Sequence, residues 1–147
     1  MAARLSLEET RTRALAVAES WIGTPYRHQA SRRQVGCDCL GLVIGIWREL
    51  YGEAVPVRLS YSPDWAETSA GEPLLEALRE RCVELGFDEM RPGDVLAFRW
   101  QAGAAVKHLA ILAPQDRIIH AYEGHAVIAS AFAPSWRRRL AGAFAFP

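Results

Sequence analysis

Cys39, His108 and His120 are the residues of this 147-residue chain whose types and spacing suit covalent chemistry. Cys39 stands in Val35-Gly36-Cys37-Asp38-Cys39-Leu40-Gly41-Leu42-Val43, and an apolar run continues to Leu50. That order reads as a loop entering a helix, with the cysteine in or beside the first turn. First-turn N–H groups have no partner inside a helix and the dipole is positive there, so the position is expected to favour a thiolate, the nucleophilic form. A thiol nucleophile needs a base, and the base a third group to orient it. His108, in Lys107-His108-Leu109-Ala110-Ile111-Leu112, and His120, in Arg117-Ile118-Ile119-His120-Ala121-Tyr122, flank the turn Pro114-Gln115-Asp116. A hairpin centred near Gln115 sets His108 opposite about Tyr122 and His120 opposite about Ala110. Both rings then share one face of the sheet as diagonal neighbours, while Leu109, Ile111, Ile119 and Ala121 line an apolar opposite face.

The elements that must position these groups can be read in order. Ser6-Leu7-Glu8-Glu9 fits a capping box, so a first helix is expected over about residues 7–21, with Leu15, Val17, Ala18 and Trp21 on its buried side. Residues 24–36 form a polar loop carrying Tyr26, Arg27, His28, Arg32 and Arg33. A second helix over about 39–51 is apolar nearly all round, which marks it as the buried central helix, and Gly41 and Gly45 permit close approach. Residues 53–70, with Pro56, Pro63, Tyr61 and Trp65, read as a surface excursion. A third helix is expected from Pro73 to Leu85 with the stripe Leu74, Leu75, Leu78, Cys82 and Leu85, which makes Cys82 a buried structural thiol. Pro92-Gly93-Asp94 is a turn, and strands follow over 95–100, 108–113, 117–122, 126–132 and about 141–146. Helices first and an antiparallel sheet second define an α+β class in a single domain spanning residues 1–147.

Composition excludes several other classes. Lys plus Arg and Asp plus Glu number 17 each, so nothing global points to nucleic acid or an anionic membrane. No apolar run reaches membrane-spanning length, and residues 1–10 lack the apolar core of a secretory signal, so synthesis in the cytoplasm is expected. Three cysteines, Cys37, Cys39 and Cys82, argue against a disulfide framework. Cys37 competes with Cys39 as nucleophile but lacks the helix that follows. A zinc site built on Cys37, Cys39 and the histidines has the wrong spacing, Cys-x-Cys with no second pair, so no metal and no cofactor is expected. The inert alternative is a buried Cys39 with the histidines as ordinary strand residues. His28 and His125 read as surface residues.

Gly23-Thr24-Pro25-Tyr26, Asp38-Cys39-Leu40-Gly41-Leu42-Val43, Pro92-Gly93-Asp94-Val95-Leu96-Ala97-Phe98, His108-Leu109-Ala110-Ile111 and Ile119-His120-Ala121 occur in that order. Together they resemble the NlpC family of papain-like cysteine peptidases that cut bacterial cell-wall peptides, in its unpermuted branch. The resemblance implies a papain-like fold, Cys39 as nucleophile, His108 as general base and His120 as orienting residue. Tyr26, Asp38 and Leu40 are the candidates for substrate contact or the oxyanion site, with Leu40 where the family usually has serine. It implies a peptidoglycan stem peptide as substrate, commonly at the bond between D-glutamate and the diamino acid. His28-Gln29, Trp47-Arg48-Glu49-Leu50-Tyr51-Gly52 and Trp136-Arg137-Arg138-Arg139 resemble pieces of phage-tail and gene-transfer-agent peptidases. This second likeness implies tail-like structural proteins as partners and delivery to the wall in a virion-like tail. The alternative it leaves is a structural or assembly protein of a tail tip with the same fold and no turnover.

Overall fold

Ser6 starts the first helix as read: its Oγ accepts from the Glu9 N–H at 3.1 Å and its hydroxyl donates to Glu9 Oε1. In the computed structural model, which describes residues 5–52 and 71–147, this helix α1 spans Leu7–Ser20. Its buried line is Thr10, Ala14 and Ala18, continued by Trp21, while Leu15 and Val17 flank it half-buried. Small residues on that line let α1 lie close to its neighbours. Replacing Ser6 by alanine removes the acceptor for a first-turn N–H and is expected to cost about 1 kcal/mol in urea unfolding. An unchanged midpoint would show the cap to be idle.

Residues Ser31–Arg32 (β1) and Gly36–Cys37 (β2) form a small antiparallel ribbon in the polar loop. Helix α2 then spans Cys39–Tyr51 and ends on Gly52 in the left-handed region at φ 71°. Leu40, Leu42, Val43 and Ile46 are buried, so this is the central helix. Both of its glycines are close-approach sites. The Gly41 Cα faces the Ala30 carbonyl, and Gly45 lies under the Trp21 indole, whose Nε1 donates to Glu49.

Helix α3 spans Pro73–Arg81 and strand β3 Val83–Leu85. The expected helix to Leu85 therefore stops four residues early. Cys82 is the C-cap with extended backbone, because Val83, Glu84 and Leu85 pair with Ala145, Phe144 and Ala143 instead of continuing the helical turn. Leu74, Leu75 and Leu78 are its buried stripe; Cys82 is only half-buried against the core. The surface excursion expected over 53–70 lies outside the described residues.

The remaining strands are β4 (Val95–Arg99), β5 (Val106–Ala113), β6 (Arg117–Ala121), β7 (Val127–Ala131) and β8 (Leu140–Ala145), with a one-turn helix α4 at Pro134–Arg137. Together with β3 they make a six-stranded sheet in the order β3-β8-β4-β5-β6-β7, with antiparallel pairing throughout. This is the α+β arrangement expected. One face, with Val95, Ala97, Leu109, Ile111, Ile119 and Phe144, packs on the helices. The other face is buried too: Leu96, Phe98, Ala110, Leu112 and Ile118 are covered by Phe132 and the half-buried Trp136. A buried ion pair ties α1 to the sheet, with Arg11 Nε donating to Asp94 Oδ1 at 2.8 Å and the Arg91 N–H holding Oδ2. Among the described residues no helix is long and apolar enough to cross a membrane.

Candidate active site at the tip of the central helix

Asp38 decides how Cys39 is presented. It is the N-cap of α2: Oδ1 accepts from the Gly41 N–H and Oδ2 from the Gln29 N–H, each at 2.7 Å. One carboxylate thus closes the helix start and pins the loop across it. The Asp38 side chain is buried, and His28 Nδ1 lies 3.8 Å from Oδ2. Asp38, one of the candidates for substrate contact or the oxyanion site, is here the scaffold of the helix tip. The Leu40 side chain belongs to the core and is not among those lining the cavity described next, while its N–H points at the Cys39 sulfur.

Cys39 opens into a cavity of about 440 Å³ that is lined also by Tyr26, Trp100, Lys107, His108, Tyr122 and Glu123. Cys37, by contrast, is fully buried, and burial pushes its thiol up to about 12. That removes it as a competing nucleophile. His28 and His125 are surface residues as read.

The histidines lie on the sheet face away from α2, yet His108 shares the cavity with Cys39. A parting of two strands reconciles these facts. The β5–β6 ladder pairs Ala113 with Arg117, Leu112 with Ile118 and Ile111 with Ile119, and goes no further toward His108. The opposite edge of β5 stays paired with β4 down to Val106. The backbone groups of Lys107 and Leu109 that would have met β6 turn instead to the sulfur. Cys39 Sγ lies 3.8 Å from the Lys107 carbonyl oxygen, and the Leu109 N–H points at it. The helix tip thus fills the opening between the strands, where Cys39 and His108 reach one cavity.

His108 and His120 sit as diagonal neighbours, as the even register requires. Their rings are edge-to-face, with His108 Nε2 2.8 Å from His120 Nδ1. His120 Nε2 lies 2.9 Å from Ser130 Oγ on β7. Nδ1 is then the nitrogen of His108 left to meet the cavity. Trp136 of α4 stacks on His108 at 5.4 Å and meets His120 edge-on at 5.2 Å. Ser130 and Trp136 were not read as site residues. Ser130 had no motif around it, and its distance from His120 depends on the β6–β7 register, which pairs it with Ile118. Trp136 enters from the sequence only within the piece Trp136-Arg137-Arg138-Arg139, likened to tail peptidases. Among the described residues, no group of three or more His, Cys, Asp or Glu side chains could hold a metal ion.

The electrostatics differ from the expected thiolate. Burial, then the Asp38 carboxylate, push the Cys39 thiol up to about 12, against the pull of the N–H groups of Leu109, Leu40 and Cys39 itself. Burial and the neighbouring His120 push His108 down to about 3; burial and His125 push His120 down to about 4. All three shifts favour a neutral thiol beside neutral imidazoles. Helix-end dipoles are thus outweighed here by enclosure and a fixed negative charge. Tyr26 is raised to about 12 by burial and by Asp38, so it remains a hydroxyl donor at any ordinary pH.

A pH dependence follows from these directions. The folded histidines bind protons less readily than the unfolded chain. Stability is therefore full above the ordinary value of 6.5 and is lost as pH falls from there toward about 4 and about 3. Below pH 8, iodoacetamide is expected to modify Cys39 more slowly than a free cysteine, with a rate still rising into the alkaline range. Rapid labelling at pH 6, levelling off above it, would instead reveal a preformed thiolate.

Residues 23–145 match the model of the NlpC/P60 family. The chain is 28% identical over 112 residues to the Escherichia coli protein named probable endopeptidase NlpC, covering 76% of this chain and 62% of that one. It is 26% identical over 132 residues to the Escherichia coli murein DD-endopeptidase MepS/murein LD-carboxypeptidase, covering 89% of this chain and 60% of that protein. It therefore spans about three fifths of the length of these curated relatives. Among solved structures, an NLP/P60-family protein of Staphylococcus aureus, described as similar to a lipoprotein, superposes with a TM-score of 0.64. That match has 21% identity and covers 98% of this chain and 43% of that one. The shared fold is the papain-like one, with a central helix against an antiparallel sheet. With most of its length inside the family model and the fold in agreement, the chain belongs to the NlpC/P60 family.

Proposed function

We propose that this chain is a cysteine peptidase that hydrolyses amide bonds in the peptide stems of peptidoglycan, with all 147 residues in one catalytic domain. The observation that carries the reading is the single cavity shared by Cys39 and His108, with His120 bonded to the far side of the His108 ring. Relatives named endopeptidase NlpC and murein endopeptidase MepS support the substrate class.

In this mechanism Cys39 Sγ attacks the scissile carbonyl as its proton passes to His108 Nδ1. The proton moves with the attack because the resting pair is neutral. The imidazolium so formed keeps its Nε2–H on His120 Nδ1, which holds the ring in plane. The tetrahedral oxyanion is stabilised by the N–H groups at the start of α2 and by the Tyr26 hydroxyl. His108 then protonates the leaving amine, and the carbonyl remains bound to sulfur as a thioester. Water, deprotonated by the same Nδ1, cleaves the thioester and returns the thiol. No step calls for a metal or cofactor.

The test is digestion of purified murein followed by mass spectrometry of the released muropeptides. New peptides ending at D-glutamate, with a free amine on the diamino acid, are expected. Intact muropeptides after prolonged incubation with soluble, folded protein would favour the turnover-free assembly protein instead.

We further propose delivery by a phage-tail-like particle, on the strength of the sequence pieces around His28, Trp47 and Trp136. Proteomics of purified particles should find the chain at the tail. Its recovery in the envelope fraction alone would count against delivery by a particle.

A further inference from the structure

At the level of Lys107, strand β5 has no regular ladder on either edge. Toward β6 the pairing ends at Ile111 and Ile119. Toward β4, Phe98 pairs with His108 and Arg99 with Val106, so Lys107 is an extra residue, a β-bulge. The bulge shows in the packing. Leu109 and Ile111 face the helices, and strict alternation would put Val106 on the other face; instead Val106 packs in the helical-side core with them. This irregular stretch carries the groups around Cys39: the Lys107 carbonyl and the Leu109 N–H at its sulfur, and the His108 ring in its cavity.

An acidic side chain from another element fastens this stretch. Glu72 stands at the N-cap of α3, but its side chain gives that helix no capping hydrogen bond. It crosses to the sheet, where Oε2 accepts from the Val106 N–H at 2.9 Å and Oε1 accepts from Arg99 Nη1. Arg99 Nη1 also donates to the Ala104 carbonyl at 2.7 Å. One carboxylate therefore ties the last residue of β4 to the first of β5, across the bulge. Val106 is fully buried, so its N–H has no water to turn to. Burial opposes the charge on Glu72, but the Val106 N–H and Arg99 outweigh it and hold the carboxyl below its ordinary range. Both oxygens are thus acceptors at neutral pH, and both partners can only donate. We propose that Glu72 is a positioning residue that fastens the Lys107 bulge, so that β5 presents His108 and the Leu109 N–H to the Cys39 cavity. The proposal rests on the peptidase reading for its effect on turnover but not for its effect on the strand.

Amide hydrogen exchange and kinetics test this on the intact chain. Glu72→Ala removes both acceptors and takes no cap from α3. The Val106 amide should then exchange roughly tenfold faster, and so should the Leu109 amide, whose own partner is the Cys39 sulfur. Both are measured against Ile119, in the closed part of the β5–β6 ladder, which corrects for any global loss of stability. On murein fragments, well below the melting temperature, kcat should fall about tenfold with a smaller change in KM, as misplacement of a reacting group requires. Glu72→Gln, which leaves one acceptor for two donors, should fall between wild type and Glu72→Ala in kcat and at Leu109. It carries the test alone should the alanine variant not fold. Faster exchange at Val106 without Leu109 would make the clip a local fastening and overturn the proposal. So would exchange at both amides equal to wild type, a full kcat, or a change confined to KM. If the wild-type chain failed to hydrolyse murein, exchange at Leu109 would still decide the role of Glu72, so failure of the peptidase reading and failure of this one are separable.

Discussion

Cys39→Ala is expected to abolish murein hydrolysis, by a factor of about 10⁴ or more, while the protein folds as before. The two halves of this expectation have separate causes. Losing Sγ removes the thiol from the cavity, and Cys37, sealed in β2, cannot take its place. Water alone, activated by His108, has neither the nucleophilicity nor the position of the thiol. Stability is spared because the sulfur makes only weak contacts on β5, with the Lys107 carbonyl 3.8 Å away and the Leu109 N–H. The helix tip stays built, because the Asp38 bonds to Gly41 and Gln29 do not involve the Cys39 side chain. Muropeptide release and thermal unfolding, run on the same preparation, check both. Retained activity above about 1% of wild type would remove Cys39 from the mechanism. His108 gives a companion measurement. Because its base form persists to low pH, kcat/KM should stay level from pH 7 to about 5, and an acid limb centred near 6.5 would contradict its burial.

Gly41→Ala, which does not touch the cavity, is expected to cost about 3 kcal/mol in stability. A Cβ there would sit 1.8 Å from the Ala30 carbonyl oxygen and 2.9 Å from its carbon. Both are backbone atoms, so no side-chain rotation relieves the clash. The loop must move off the helix. Ala30 cannot shift alone, for its carbonyl accepts the Asp38 N–H and Ser31 Oγ donates to the Gly41 carbonyl at 2.6 Å. Relief therefore pulls on the cap that presents Cys39. Activity should fall along with stability, and lowering the temperature should restore only part of it. Denaturant unfolding with an unchanged slope measures the loss. A shift below about 1 kcal/mol would mean that the loop yields without strain.

The contrast between Gly41 and Cys82 shows where sequence reasoning holds. Gly41 and Gly45 at helical spacing announced close approach, and Ala30 and Trp21 approach there. Both signals are local, so neighbouring residues suffice to read them. Cys82 and Leu85 continued a helical stripe on paper, yet the chain leaves the helix at Cys82. The hydrogen bonds of Val83, Glu84 and Leu85 go to β8, nearly sixty residues further on. Periodicity cannot weigh a partner that distant. Asp38 and Leu40 entered as candidates for substrate contact or the oxyanion site, and helix geometry makes one the cap and sends the side chain of the other into the core.

The sequence by itself determined the place of Cys39 at a buried helix tip, the two histidines on one face, the α+β order and the family. Each follows from residue type, period or turn length, and parity alone puts His108 and His120 together. Tertiary structure decided what the site does with them. The strands part beyond Ile111 and Ile119, letting the helix tip reach rings on the far face. Ser130 and Trp136 arrive from β7 and α4 to hold and cover those rings. Enclosure and Asp38 keep the thiol and imidazoles neutral, although the local dipole argument favours charge. A dipole is written in the order of residues, whereas desolvation depends on every element packed around the group, and here the second effect is larger.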